Sequence, residues 1–289
     1  MRKKGLLLTV ILILALPLQS LADDWIRGDI DGDGAVTISD VTCLIDYLLT
    51  GQWGDESERM TITVGDVSFV MLRVTGGSFT MGAVDDDEAY EWEMPAHDVT
   101  LSDFWMGETE VTQALWQAVM GDNPSHFTGN LNCPVENVSW TSCHEFIDKL
   151  NEFSGMTFCL PTSAQWEFAA RGGNKGRGYA YAGSDDVNKV AWFDENSGNT
   201  THPVGQKDAN ELGLYDMSGN VHEWCQDWFE EYSDMPQTDP TGPEDGTYRI
   251  LRGGCWSSTA RRCRVSYFNF NQPWTTSPTL GLRLSLKTE

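Results

Sequence analysis

Asp29, Asp31 and Asp33 occupy alternate positions in GDIDGDGAVTISD, residues 28–40, with Gly34 next and Asp40 eleven residues after the first aspartate. Three spaced carboxylates, a glycine for a sharp turn, the carbonyl of Ala35, a ligand or water near Thr37 and a closing carboxylate form the oxygen cage that a hard cation such as calcium requires. The second reactive set is sulfur. Seven cysteines, Cys43, Cys133, Cys143, Cys159, Cys225, Cys255 and Cys263, show no spacing of the CxxC kind used for zinc. In an oxidising compartment they read first as bridges, and their odd number leaves at least one thiol unpaired in a monomer.

Other chemistries find less support. The five histidines, His97, His126, His144, His202 and His222, form no HxH or HxxxH cluster, and no serine, histidine and aspartate are singled out as a triad. His222, beside Glu223, reads as a loop contact. Trp224, Trp228, Trp256 and Trp274 either line a sugar-binding or peptide-binding cleft or belong to the core.

The elements that must carry these groups begin with a leader. Arg2, Lys3 and Lys4, an apolar run from Leu6 to Leu18 and Ser20-Leu21-Ala22 predict a signal peptide over residues 1–22. The run is shorter than the ~20 residues of a spanning helix, so the mature chain is expected in a secreted or periplasmic setting with no membrane attachment. Net charge is −24 and becomes more negative once the three leader cations are removed. Such a balance argues against binding nucleic acid or an anionic membrane surface, which needs clustered Lys and Arg.

Behind the aspartate loop, Val41, Leu44, Ile45 and Leu48 recur at helical spacing up to Gly51. Residues 23–52 therefore read as a calcium loop and helix, and the polar stretch 53–68 as a linker. From residue 69 to 289 the composition is that of one large domain, rich in Trp and Gly. Helices are predicted over Thr112 to Met120, over Thr141 to Phe153, and from Ser163 through Trp166, Phe168 and Ala169. Short strands and turns fill the remainder, which makes the fold class α+β with much irregular structure.

Several stretches occur together in order: MLRVTGGSFTM (71–81), TEVTQALW (109–116), CPVENVSW (133–140), LPTSAQWEFAARGG (160–173), LGLYDMSGNVHEW (212–224), LRGGCWSSTARRC (251–263) and GLRL (281–284). They resemble the formylglycine-generating enzyme, or sulfatase-modifying factor, family, and the 28–51 unit resembles one half of a dockerin with an EF-hand-like loop. The resemblance implies a variant of the C-type-lectin-like fold. It further implies structural calcium held by the Asp216 side chain, the carbonyls of Gly219 and Val221, and Glu223. A second calcium site is expected within residues 188–198, with Trp192, Asn196 and Gly198 as candidates.

Catalytic members of that family oxidise a sulfatase cysteine with a copper-binding cysteine pair. By counting from Gly254, Cys255 falls at a serine of the pattern, Ser258 at the first redox cysteine and Cys263 at the second. Cys263 also fits a later structural cysteine of the family, bridged for instance to Cys225, and a Cys255/Cys263 pair is a third arrangement. The expected function is a secreted, calcium-binding accessory or binding module without oxidase activity. It would take a peptide or glycan in a cleft and a cohesin-like partner through the dockerin-like half. The alternative is an active, copper-dependent protein-cysteine oxidase with an unusual cysteine arrangement.

Overall fold

The computed structural model describes residues 58–84 and 88–287. The leader and the aspartate loop with Asp29, Asp31, Asp33, Ala35 and Asp40 lie outside the described residues. In chain order the strands are β1 (Arg59–Val64), β2 (Val67–Val74), β3 (Gly77–Met81), β4 (His97–Leu101), β5 (Phe104–Gly107), β6 (Phe158–Cys159), β7 (Ala191–Trp192), β8 (Ser218–Gly219), β9 (His222–Trp228), β10 (Gln237–Thr238), β11 (Arg249–Arg252), β12 (Phe268–Asn271), β13 (Leu280–Gly281) and β14 (Ser285–Lys287). The α-helices are α1 (Gln113–Met120), α2 (Trp140–Ser154), α3 (Ser163–Ala170) and the short α4 (Val187–Val190).

Helix and strand are mixed, as the composition predicts, and long loops join them. The three longer helices begin where side-chain caps satisfy free backbone donors. Thr112 accepts from the Leu115 amide, Ser139 from Ser142 and Thr162 from Gln165. Both α1 and α2 stop at a left-handed glycine, Gly121 and Gly155.

Two sheets organise the core. One runs β1-β2-β5-β14-β6, and α1 and α2 bury Leu115, Trp116, Phe146, Ile147 and Leu150 in the same apolar cluster as its Met71 and Leu286. The other runs β12-β11-β9-β13. Its Ile250 and Phe268 share a second cluster with Trp166 and Phe168 of α3. Trp116 stacks on Phe146 with ring centroids 4.9 Å apart. Strand β9 is central in its sheet, paired antiparallel with β11 and parallel with β13. It thereby carries LGLYDMSGNVHEW into the middle of the domain.

Two expectations are corrected. The stretch 53–68 is not all linker, because β1 pairs along its whole length with β2. Met60, Ile62 and Val64 turn towards the core while Arg59, Thr61 and Thr63 face solvent, so a half-exposed edge strand carries the polarity of a linker. Nor does the expected bridging hold among the described residues, where all six cysteines are free thiols. Cys225 packs with the α3 cluster and Cys263 with Ala191 and Phe193, so the pair suggested for a bridge belongs to separate packing groups.

Candidate functional site

The loop preceding β9 turns through left-handed residues: Asp216 has φ 56°, Gly219 φ 87° and Asn220 φ 57°. Gly219 is required there, since a Cβ would collide with the Trp192 carbonyl. The turn folds its polar groups inward. Asn220 Nδ2 donates to Glu110 at 2.7 Å and the Val221 amide donates to the other Glu110 oxygen at 3.0 Å. Asp216 accepts from the Gly205 amide at 2.7 Å, and its other oxygen is buried with no partner. Glu223 is fully engaged, by Arg283 at 2.7 Å and by the Trp166 indole at 2.6 Å.

Glu110, Asp216 and Glu223 are thus buried around one guanidinium. Burial, reinforced by Asp216 and Glu223, raises the Glu110 carboxyl well above its ordinary value. Burial also pushes Asp216 up to about 6. Surplus buried negative charge and an orphan carboxylate oxygen fit a hard cation at the Asp216 end. At the Glu223 end Arg283 already supplies the counter-charge. Among the described residues no three His, Cys, Asp or Glu side chains form a metal cluster, so an ion here depends on the Gly219 and Val221 carbonyls as well. In the second expected calcium loop, Asn196 closes its own turn by accepting from Phe193 and donating to Ala191. The Trp192 carbonyl accepts from Asn220, and Gly198 is left-handed.

The second motif leaves β11 through two left-handed glycines, Gly253 and Gly254. Backbone bonds join it to the first: Gly219 donates to Gly253 at 2.7 Å and Trp256 to Asn220 at 2.7 Å. The two sequence stretches therefore form one site. A Cβ on Gly254 would lie 2.8 Å from the Cys263 sulfur, which explains why the chain is bare there. Ser258 Oγ accepts from the Cys255 amide at 3.0 Å and lies 3.3 Å from the Cys255 sulfur, as does Ser257 Oγ.

The two sulfurs differ in character. Burial alone would raise the Cys255 thiol, yet the His222 ring, through its charge and a hydrogen bond, and the two serine hydroxyls bring it down to about 6. Cys263 is pushed far up, first by burial and then by Cys255 and Asp194. Only one sulfur ionises near neutrality, and Ser258 contributes a hydroxyl bound to the backbone. This donor set does not fit a copper-binding thiolate pair.

Glu110, Arg283 and the contact of His222 with Cys255 are additions to the sequence reading. Nothing local marks Glu110, which lies between Thr109 and Val111 and finds its partners 110 residues away. Of the four tryptophans, Trp224 is core, Trp256 donates to the Pro278 carbonyl and Trp228 covers the Arg249 guanidinium at 3.4 Å. Trp274 alone among them is largely exposed, at 66%.

A separate buried acid gives a pH test of the surroundings. Asp227 accepts from the Ser163 amide at the start of α3, and burial raises it to about 6 despite Arg252 nearby. Because the ordinary aspartate value is about 3.9, the native state retains a proton that the unfolded chain has lost in this window. Stability is therefore withdrawn as pH rises through it and the loss is complete above about 6. Asp227→Asn keeps the acceptor and removes the charge. Denaturant unfolding should find the variant more stable than wild type by about 1–3 kcal/mol at pH 7.5, with the gap closing near pH 4.5. A less stable variant at pH 7.5 would contradict the assignment.

Residues 66–288 match the family described as Sulfatase-modifying factor enzyme 1-like domain. Over 219 residues the chain is 38% identical to Chaperone protein LppX of Paenibacillus barcinonensis, covering 58% of this chain and 75% of that protein. It is 31% identical to the Formylglycine-generating enzyme of Streptomyces coelicolor, covering 73% of this chain and 87% of the enzyme. Identity to Serine/threonine-protein kinase Pkn1 of Chlamydia trachomatis serovar L2 is 32%, but the match spans only 40% of the kinase. Among solved structures, Treponema denticola variable protein 1 superposes with a TM-score of 0.72 and 34% identity, over 80% of this chain and 99% of that one.

Proposed function

The chain belongs to the Sulfatase-modifying factor enzyme 1-like family, and on that premise we propose that it is a binding or accessory module that keeps the family scaffold without its cysteine-oxidising chemistry. The observation that carries this reading is Ser258. Where the resemblance calls for the first redox cysteine, this residue offers a hydroxyl engaged by the Cys255 amide. Similarity to a protein named as a chaperone and to a kinase carrying a matching segment supports a non-catalytic use of the scaffold. The ligand, a peptide or glycan, would meet the loops after Phe193 and from Cys255 to Asn271, with Trp274 exposed beyond them.

Secretion, calcium binding and docking of a cohesin-like partner through residues 23–52 belong to the same proposal. The proposed calcium sites are the aspartate loop and the turn of Asp216, Gly219, Val221 and Glu223. In the turn, Asp216 would contribute its unpartnered oxygen and an ion would offset the surplus charge. The second reading, an oxidase using Cys255 and Cys263, is favoured by one feature, the lowered Cys255 thiol. The distance in character between the two sulfurs weighs against it.

Calcium in excess should raise the thermal midpoint, followed by tryptophan fluorescence, by several degrees over protein in chelator. Asp216→Asn should shrink that rise; an unchanged midpoint in wild type would remove calcium from the proposal. Incubation of the full chain with a CxPxR peptide, copper and oxygen should leave the peptide mass unaltered. Conversion of the peptide cysteine to formylglycine would replace the accessory reading by the oxidase.

A further inference from the structure

A cavity of about 340 Å³ is lined from strand β2 on one side and from the segment that leads into α1 on the other. Its walls are fixed by the backbone. The Glu108 amide donates to the Val70 carbonyl at 2.9 Å, and the Val204 amide to the Asn132 carbonyl at 3.0 Å, which pins the 107–112 segment and the 203–206 loop beside it. Val67, Phe69, Val111, Leu115 and Leu284 give the cavity an apolar surface. Its volume lies at the lower end for small-molecule pockets, which are mostly apolar with a few placed polar groups.

The charged groups in this wall are all acidic. Glu108 and Glu110 both line the cavity, and no Lys, Arg or His does. The two carboxylates are not equivalent. Glu108 meets the exposed Arg59 at 2.8 Å. Glu110 is 1% exposed and is served only by neutral donors, the Asn220 side-chain amide and the Val221 backbone N–H. Each carboxylate oxygen can accept a second hydrogen bond, so Glu110 keeps acceptor capacity for a ligand. A buried carboxylate without a cation is costly, and the cavity on its flank is where one can be supplied. Asp216, held by the Gly205 amide between the lining residues Val204 and Gln206, adds negative charge behind the same wall.

We propose that this cavity binds a small primary amine with an apolar body, its ammonium on Glu110 and its body against Phe69, Leu115 and Leu284. One carboxylate without a counter-charge calls for one ammonium. An amino acid brings a carboxylate as well, which would face Glu108 and Glu110 with no cation in the wall to receive it. The cavity therefore selects the amine and rejects the zwitterion, a discrimination made by repulsion. A metal ion would leave the apolar wall unused. Residues 255–271 contribute nothing to the cavity, so the inference goes beyond the accessory reading and holds whether or not that stretch takes a peptide or glycan.

The test titrates the full chain, in chelator at neutral pH, with 2-phenylethylamine by calorimetry, and in parallel with phenylalanine and 3-phenylpropionate. The amine should bind at a single site with a dissociation constant below about 1 mM. Phenylalanine should bind roughly tenfold more weakly or worse, and 3-phenylpropionate not at all. Glu110→Gln should weaken the amine roughly tenfold, as a charge-assisted hydrogen bond becomes a neutral one. Ala114→Phe places a ring at a half-buried lining position of α1 and should weaken the amine at least as much. No binding of the amine, equal binding of phenylalanine, or several equivalents bound loosely over the acidic surface would overturn the proposal. So would undiminished binding by a folded Ala114→Phe. If Glu110→Gln fails to fold, the contrast between amine and amino acid in the wild type, together with Ala114→Phe, decides.

Discussion

Glu223 and Arg283, both inaccessible to solvent, face each other at 2.7 Å in the middle of the domain. Two opposite charges taken from water to a buried site are costly to separate, because either alone would be stranded. The pair is completed on every side. Arg283 also donates to the Gly107 and Tyr215 carbonyls, and Glu223 accepts from the Trp166 indole. One ion pair thus links β9, the segment between β13 and β14, the end of β5, the loop before Asp216 and helix α3. A domain with short strands and long loops is held by such junctions as much as by its apolar clusters. Glu167 with Arg252 and Glu93 with Arg264 repeat the device elsewhere.

From that junction follows the electrostatics of the site. Arg283 balances Glu223, which leaves Asp216 and Glu110 without a cation of their own. Glu110 is served by two neutral donors, whereas Asp216 keeps one oxygen free. The same turn positions the second motif, since Asn220 and Gly219 form backbone bonds with Trp256 and Gly253. The two motifs are thereby locked into one site.

Much of this was legible in the sequence where the signal is local. The helices begin directly after the caps Thr112, Ser139 and Thr162, where a capping side chain precedes an apolar run, close to where periodicity puts them. The α+β class is readable from these helices and the short strands and turns between them, and the ordered motifs carry the family. What was not legible is long-range. Glu110 meets Asn220, and Arg283 meets Glu223, across 110 and 60 residues, distances over which no spacing rule operates. The edge strand β1 resembled a linker because half of its residues face water. The seven cysteines suggested bridges through the oxidising compartment that the leader implies, while the fold distributes Cys225 and Cys263 to separate packing groups.

The absence of a matched thiolate pair is the central claim, and affinity for Cu(I) tests it most directly. A competition titration under anaerobic conditions would compare wild type with Ser258→Cys in a Cys43→Ser background. Wild type should lose Cu(I) to the competitor at every ratio, while Ser258→Cys should retain one equivalent, because two soft thiolates then face one ion. One tightly held equivalent in wild type that disappears on replacing Cys255 or Cys263 would contradict the claim and restore the oxidase.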